Sequence, residues 1–254
     1  MKILRKIISV KMVKWTKDEM TVAFALYCII PQQKIKKSNK ILQQVCNNFN
    51  HSIDSLIMCI QNFAAIDPKS KVKGLVNWGK LHQEVWNEFK NDWGELSVQA
   101  EKITNLSLFD ADPIRGARSL SALSDRPRVL RERQFFRSVV LASYEETCCV
   151  SGLMLPELLV ASHIKPYSKC RTANERTTPG NGVLLNTFYD KAFDSGLLTI
   201  LPDYTIRIST RINSADSFAK TWLCDLDGGK IKIPAKFRPE REFLEYHNDI
   251  IFKR

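Results

Sequence analysis

The chain has 254 residues, of which 44% are hydrophobic, and it carries a formal net charge of +11. A chain of this length and apolar content can bury one large core or two modest ones, which excludes global disorder. The positive charge favours a polyanionic partner, nucleic acid before an anionic membrane, although many basic proteins bind neither. No apolar run reaches the roughly 18 residues needed to cross a bilayer, so we expect no membrane association.

Seven cysteines are scattered along the chain, and no CxxC pair occurs among them. An odd number without paired spacing argues against a disulfide framework and against a structural zinc site. Isolated cysteines are typical of small buried side chains in a reducing compartment. The cysteine pattern therefore predicts a cytoplasmic protein without structural zinc.

The first hundred residues have helical periodicity. In WTKDEMTVAFALYCII, Thr16 and Glu19 have the spacing of a capping box. Apolar residues recur at helical spacing in KSNKILQQVCNNF and in IDSLIMCIQNFAAID, where Ser52 is the candidate N-cap. Two short helices joined by a polar turn are consistent with a helix-turn-helix, and equally with an ordinary helical bundle. We predict a helical domain over residues 1–102 and assign it a role in DNA recognition.

A change of composition separates this region from the rest of the chain. Residues 103–127 mix Pro, Gly, Ser, Asp and Arg with little periodicity, which predicts a linker. Residues 128–254 begin with a helix near RERQFFRSVVLASYEETC and continue with short apolar strands. TIRIST and KIKIP have the alternation of strands, and EREFLEYHNDIIF predicts a final helix. The second half is therefore predicted to be a separate mixed domain.

The polar residues that can carry chemistry lie in the middle of this second half. An apolar strand ends at His163, a polar and basic loop follows, and Asn181-Gly precedes another apolar strand. A helix then begins near Thr187 and carries Asp190 and Asp194 on one face, because residues four apart are helical neighbours. An Asn-Gly pair alone is typical of a hairpin turn. The order strand, loop, strand, helix could bring the His, the Asn and the two aspartates together.

Three segments of this region carry a resemblance to a known family. They are CVSG from Cys149, LLVASHIKP from Leu158 and NGVLLNTFYDKAFDSGL from Asn181. The region resembles HNH nucleases of the ββα-metal fold, in the branch related to restriction endonucleases, from about Arg131 to the C-terminus. The N-terminal half resembles, more loosely, the helical module that often precedes such domains. The resemblance implies an α+β protein, with a mostly helical N-terminal domain and a C-terminal ββα-metal domain.

The resemblance also implies roles for individual residues. His163 is similar in position to the family's general base, and Asn181 to the Asn that holds the histidine-bearing strand in place. Asp190, nine residues after the Asn, and Asp194, four residues later, take positions where HNH nucleases have metal ligands. Two carboxylates make a hard oxygen site, which suits Mg²⁺ or Mn²⁺. Ser162 stands where several relatives have another ligand, and we leave it out of the metal set.

One position departs from the family pattern. Tyr189 stands where close relatives often carry His, and this raises the alternative of a DNA-binding protein whose nuclease site has decayed. Four basic residues flank the motif and are candidates for contacts with DNA phosphates, although each of them is equally explained as general surface charge. They are Lys165, Arg171, Arg176 and Lys191.

The sequence thus predicts a metal-dependent endonuclease acting on double-stranded DNA, with a sequence-specific restriction or phage-defence role. A nonspecific or modification-dependent nuclease is the alternative within the same class. Cutting both strands requires two active sites or a reorientation, so we expect a homodimer.

Overall fold

The computed structural model describes residues 14–68, 70, 78–112, 116–119, 128–214 and 217–254. The N-terminal half contains the helices α1 (Lys17–Ile29), α2 (Lys40–Asn48), α3 (Ile53–Ile66), α4 (Lys80–Phe89) and α5 (Trp93–Thr104). A hairpin of β1 (Leu106–Asp112) and β2 (Gly116–Ser119) follows. The later elements are α6 (Arg128–Ser143), β3 (Leu159–His163), α7 (Ala173–Thr177), β4 (Gly182–Asn186), α8 (Thr187–Asp194), β5 (Leu198–Ile200), β6 (Ile206–Ile208), α9 (Ser217–Leu223) and α10 (Arg241–Tyr246).

This architecture is α+β, as predicted, with helices in both halves and three two-stranded antiparallel sheets among the described residues. The strands pair as β1–β2, β3–β4 and β5–β6. None of the helices in the described part of the chain has the length and apolarity of a bilayer-spanning segment.

The helix starts predicted for the N-terminal half are confirmed. The Thr16 hydroxyl accepts a hydrogen bond from the Glu19 amide at 3.2 Å, and the Glu19 carboxylate accepts from the Thr16 amide at 2.8 Å. The Ser52 hydroxyl likewise accepts from the Ser55 amide at 3.2 Å. Each cap satisfies amides that have no partner inside the helix.

The N-terminal helices pack around α1, which is buried over most of its length. Phe24 lies at the centre of this core and stacks on Phe63 of α3 with ring centroids 4.8 Å apart. The sequence of α3 contains no Lys or Arg, and its exposed positions include Asp54 and Met58. These features favour the bundle interpretation, because a recognition helix in a major groove faces a polyanion.

The range predicted as a linker is partly ordered. Strands β1 and β2 lie within it and pair in antiparallel register, with Leu106 opposite Ser119. Leu108 and Phe109 are buried in the N-terminal core. Residues 113–115 and 120–127 of the predicted linker lie outside the described residues. The domain boundaries therefore stay a prediction, while the hairpin itself packs with the helical half.

Helix α6 contributes to both hydrophobic cores. Phe135 and Val139 are buried with the N-terminal helices, whereas Phe136 and Val140 are buried in the core of the C-terminal half. Residues four apart lie on one helical face, so two adjacent faces of α6 serve the two cores. Helix α6 is therefore part of the hydrophobic core of both halves.

A second connection between the halves is made by Lys236 and Phe237. The buried ammonium of Lys236 donates hydrogen bonds to the carbonyl oxygens of Tyr27 and Ile30 at the C-terminal end of α1, the latter at 3.0 Å. A helix C-terminus is electronegative, which favours a cation there, but burial lowers the pKa of Lys236 to about 8. The Phe237 ring packs against Trp93, with centroids 5.2 Å apart.

The ββα unit predicted from the sequence is present. Strand β3 pairs with β4, with His163 opposite Gly182. Helix α8 begins immediately after β4, where the Asn186 side chain accepts a hydrogen bond from the Tyr189 amide at 2.9 Å. Of the two strands predicted near the C-terminus, TIRIST contains β6. The prediction of a strand in KIKIP is wrong, because only Lys230 of this segment makes an isolated bridge, to Thr205.

Asn181 and Gly182 do not form the tight hairpin turn that is typical of an Asn-Gly pair alone. Residues 164–181 join the two strands, and Gly182 is extended, with φ −124° and ψ 141°. The glycine is required for another reason. A Cβ atom on Gly182 would lie 2.5 Å from Cγ2 of Val140 and 3.0 Å from Cζ of Phe136. The absence of a side chain therefore lets β4 approach α6.

We expect Gly182→Ala to lower the free energy of unfolding by about 1–3 kcal/mol, because the added methyl group overpacks the contact with α6. The matched control is Gly94→Ala in α5, where an added Cβ would meet only Asp92, at 3.8 Å. The control should leave stability unchanged or raise it, because alanine is the better helix former. Urea unfolding of both variants measures the difference. Equal stability of the two variants would contradict the packing argument.

Candidate active site

His163 lies at the end of β3 with its ring held on two sides. The imidazole stacks on Phe136 with ring centroids 3.7 Å apart and an interplanar angle of 10°. Its Nε2 lies 2.9 Å from the carbonyl oxygen of Arg176. Because a carbonyl only accepts, Nε2 carries the proton in the neutral ring and Nδ1 carries the lone pair. Within the described part of the chain, Nδ1 makes no hydrogen bond.

The environment of His163 favours the neutral imidazole. Burial lowers its pKa below 6.5, and the positive charge of Arg133 lowers it further, against the opposing effect of the hydrogen bond to Arg176. A neutral ring with a free lone pair can accept a proton near pH 7. The electrostatics of the site are therefore those required of a general base.

An open groove of about 310 Å³ lies beside the His163 ring. Arg133 and Arg137 of α6 line it together with Tyr167, and both arginines are exposed. The guanidinium of Arg133 lies 4.8 Å from the centroid of the Tyr167 ring. These arginines have no part in the sequence-based prediction. Their spacing of four residues in RERQFFR could have predicted that both lie on one helical face.

Asn181 is completely buried and all of its polar side-chain atoms are used. Its Oδ1 accepts a hydrogen bond from the Lys165 amide at 2.7 Å, and its Nδ2 donates to the carbonyl oxygens of Lys165 at 3.2 Å and Glu175 at 2.9 Å. These bonds connect the start of β4 to the beginning and to the interior of the polar loop. They are the contacts that a positioning role requires.

The short helix α7 supplies the carbonyl groups that hold both residues. Glu175 offers its carbonyl to Asn181, and the next residue, Arg176, offers its carbonyl to His163. The Glu175 carboxylate is itself bound at 2.9 Å by the Lys165 ammonium and at 2.6 Å by the Arg171 amide. Glu175 thus organises the loop from its centre.

Glu175 is a central residue of this loop that the sequence-based prediction did not include. The signal was present, because Thr172 and Glu175 have the Thr-x-x-Glu spacing of a helix N-terminus. In the structure the Thr172 hydroxyl accepts from the Glu175 amide at 3.1 Å.

Asp190 and Asp194 are both on α8, and the structure brings Ser162 to the first of them. The Ser162 hydroxyl donates a short hydrogen bond to Oδ1 of Asp190. Asp194 is exposed, and partial desolvation together with the negative charge of Asp190 raises its pKa. The two carboxylates therefore repel each other, which a bound cation would relieve.

The side-chain donors at this position are oxygen atoms, the type that hard divalent cations prefer. Two carboxylates and one hydroxyl offer only oxygen, and Mg²⁺ typically takes one or two carboxylates with waters and substrate phosphate completing its shell. Zinc sites are built mainly from Cys and His. Among the residues that the structure describes, no group of three or more His, Cys, Asp or Glu side chains is arranged to hold a metal ion.

Tyr189, the departure from the family pattern, points into the core. It is 5% exposed, and its hydroxyl donates a hydrogen bond to the carbonyl oxygen of Trp222 at 3.2 Å. Its side chain therefore packs away from the pair of Ser162 and Asp190. Of the neighbouring positions on α8, it is Asp190 that contacts the end of β3.

The four basic residues predicted to contact DNA fall into two groups. Arg171 and Lys191 are exposed. Lys165 is paired with Glu175, and Arg176 lies 3.8 Å from the carboxylate of the buried Glu132. The structure thus leaves two of the predicted contacts open to solvent and engages the other two inside the protein.

Residues 148–201 match the family model described as HNH endonuclease. The match contains β3, β4 and α8, and with them His163, Asn181 and both aspartates. None of the curated protein sequences matches the chain. HNH nucleases typically depend on a divalent metal ion, which agrees with the oxygen donors on α8. The strand, loop, strand and helix of residues 148–201 are therefore an HNH endonuclease domain.

Proposed function

We propose that the chain is a metal-dependent DNA endonuclease in which His163 is the general base. The observation that carries the proposal is the 2.9 Å contact between Nε2 of His163 and the Arg176 carbonyl, which assigns the proton of the neutral ring to Nε2 and the lone pair to Nδ1. A water molecule near Nδ1 would lose its proton to the ring as it attacks phosphorus. Asn181 acts as a positioning residue, because it holds the loop that supplies this carbonyl.

Asp190 and Asp194 are the proposed metal ligands, and Ser162 orients Asp190. A Mg²⁺ or Mn²⁺ ion bound there would stabilise negative charge on the scissile phosphate and on the leaving oxygen. The next residue after Ser162 is His163, so β3 presents the proposed metal side and the proposed base side from consecutive positions.

Positive charge around this centre supports binding of a DNA backbone. Arg133 and Arg137 line the groove beside His163, and Arg171 and Lys191 are exposed nearby in sequence. Contacts to phosphate contribute affinity and orientation but no sequence information. Recognition of a particular DNA site would have to come from other surfaces.

A restriction or phage-defence role is the biological setting that we propose, with a homodimer cutting both strands. Run-off sequencing of plasmids cut by purified protein with Mg²⁺ tests activity and specificity together. Plasmids with and without host methylation separate a restriction enzyme from a modification-dependent one. DNA binding without any cleavage would favour the decayed site, although the buried position of Tyr189 gives that alternative no structural support.

His163→Ala is expected to lower Mg²⁺-dependent cleavage by about 10²–10⁴-fold, because the general base is lost. DNA binding in EDTA should stay near that of the parent chain. His51→Ala, in the N-terminal half, is the matched control and should keep its activity. Because the His163 ring also stacks on Phe136, melting temperatures must show that the variants remain folded. Undiminished cleavage by the His163 variant would exclude the mechanism.

Asp190→Asn and Asp194→Asn should each reduce metal-dependent cleavage, by roughly a hundredfold if the ion is lost. Binding of Mn²⁺, followed by electron paramagnetic resonance, should weaken in parallel. Asp225→Asn, which changes an exposed carboxylate outside the site, should alter neither quantity. If both site variants bind Mn²⁺ and cut DNA like the parent, the paired-carboxylate site is wrong.

Arg171→Gln and Lys191→Gln should each weaken DNA binding for all sequences. Each should also reduce the slope of the logarithm of the binding constant against the logarithm of the salt concentration by about one. Lys165→Met should instead lower stability, since it leaves the Glu175 carboxylate without the ammonium that lies 2.9 Å away. Fluorescence anisotropy over a salt series and thermal melting measure the two effects. Loss of salt dependence in the Lys165 variant, with unchanged melting, would reverse this assignment.

A further inference from the structure

Two arginines of α6, Arg133 and Arg137, line the groove beside His163, and their partners differ. The guanidinium of Arg137 donates hydrogen bonds to the carbonyl oxygens of Leu159 at 2.9 Å and of Pro156 at 3.3 Å. The first of these residues begins β3 and the second lies just before it. Arg137 therefore fastens α6 to β3, and two of its donors are used inside the protein.

Arg133, one helical turn earlier, has no comparable partner. Its side chain is exposed, and its guanidinium lies 4.8 Å from the centroid of the Tyr167 ring, which is a cation–π contact. Within the described part of the chain its guanidinium makes no hydrogen bond and no ion pair. The carboxylate of the adjacent Glu132 is buried and lies 3.8 Å from Arg176. The N–H donors of Arg133 are therefore accessible to a ligand in the groove.

The groove is also a place where substrate can approach the proposed base. Phe136 covers one face of the His163 ring, and the Arg176 carbonyl occupies its Nε2. The ring shares the open space of about 310 Å³ with Arg133 and Tyr167. The positive charge of Arg133 acts on the imidazole, whose pKa it lowers. An anion bound by Arg133 would thus lie beside the ring that takes the proton.

We infer that Arg133 binds the scissile phosphate of DNA and stabilises it while water attacks phosphorus. The inference rests on the proposed function, because a DNA-cutting site must receive a phosphodiester next to its general base. A planar guanidinium can bind two phosphate oxygens at once. These oxygens gain negative charge in the transition state, so the contact becomes stronger as the reaction proceeds. Arg133 is on this view a catalytic residue, whereas Arg137 is structural.

Tyr167 prepares Arg133 for this contact. An arginine that is free in solvent loses side-chain entropy when it binds, and a guanidinium that already rests on an aromatic face loses less. Tyr167 begins the short turn Tyr167–Lys169, two residues after Lys165, whose backbone is held by the Asn181 amide. The amide that positions the loop around His163 therefore also supports the ring beneath Arg133.

The first test measures the single-turnover cleavage rate at saturating enzyme with Mg²⁺, where DNA binding no longer limits the rate. Arg133→Gln should lower this rate by about 10²–10³-fold, the usual loss when one donor to a developing oxyanion is removed. Arg133→Lys keeps the charge without the planar fork and should recover part of the rate. DNA binding by Arg133→Gln in EDTA should weaken by about tenfold at most, since only one phosphate contact is lost.

Melting temperatures separate this role from a structural one. Arg133→Gln should melt like the parent chain, because the side chain is exposed and makes no hydrogen bond inside the protein. Arg137→Gln is the matched comparison in the same groove and should melt at a lower temperature, because two carbonyl groups lose their donor. Arg211→Gln removes an exposed arginine outside the groove and should change neither the saturated rate nor the melting temperature.

The second test identifies the phosphate that Arg133 contacts. Run-off sequencing first locates the cut, and duplexes are then made with one uncharged methylphosphonate at the cut or one nucleotide to either side. Binding to each duplex is measured in EDTA. Neutralising the scissile phosphate should weaken binding of the parent chain and should not weaken binding of Arg133→Gln any further. The same pattern at a neighbouring phosphate would show that Arg133 only anchors the strand and would overturn the inference.

Failure of this inference can be distinguished from failure of the proposed function. A parent chain that cuts DNA, with an Arg133→Gln variant that has an undiminished saturated rate, removes the inference alone. A slower Arg133→Gln variant that melts as low as Arg137→Gln, with no recovery in Arg133→Lys, also overturns it and leaves the nuclease standing. A parent chain that cuts no DNA removes the proposed function, and the catalytic role of Arg133 with it.

Discussion

The buried amide of Asn181 is the constraint on which the HNH site depends. Residues 164–181 connect two short strands, and a loop of that length has many conformations unless it is held. Asn181, at the end of the loop, holds it by bonding Lys165 at the beginning and Glu175 in the interior. Replacing the amide would leave several backbone groups buried without partners, which is more destabilising than losing one surface contact.

Asn181 does not bond His163 directly and positions it through the backbone of α7. The carbonyl that fixes the His163 tautomer belongs to Arg176, one residue beyond the carbonyl that Asn181 holds. The remaining support is the ring of Phe136 on α6, whose neighbour Phe135 is buried in the other core. The position of the proposed base therefore depends on packing of both halves of the protein.

Much of this arrangement is predictable from local sequence. Helix caps at Thr16 and Ser52 and the ββα order follow from spacing, because the interactions that decide them lie within four residues. The position of Gly182 could not be interpreted correctly in this way. A glycine is required at this position because a side chain would collide with Val140, 42 residues earlier in the chain. No local sequence pattern contains that contact.

The charged residues are a clearer example of contacts that local sequence cannot predict. Lys165 and Arg171 look equivalent in the sequence, yet one is paired with Glu175 and the other is exposed. Which partner a long basic side chain reaches depends on how the loop folds, and this is decided by the buried Asn181. Arg133 and Arg137 look like ordinary surface residues of α6 in the sequence. They line a groove next to His163 only because β3 packs beside α6.

Helix α7 lies between a cavity lined by residues of both halves and the ring of His163. One face of it borders the interdomain cavity, and its carbonyls hold the proton of His163 in place. Any displacement of this five-residue helix would therefore alter the contact that holds the His163 ring.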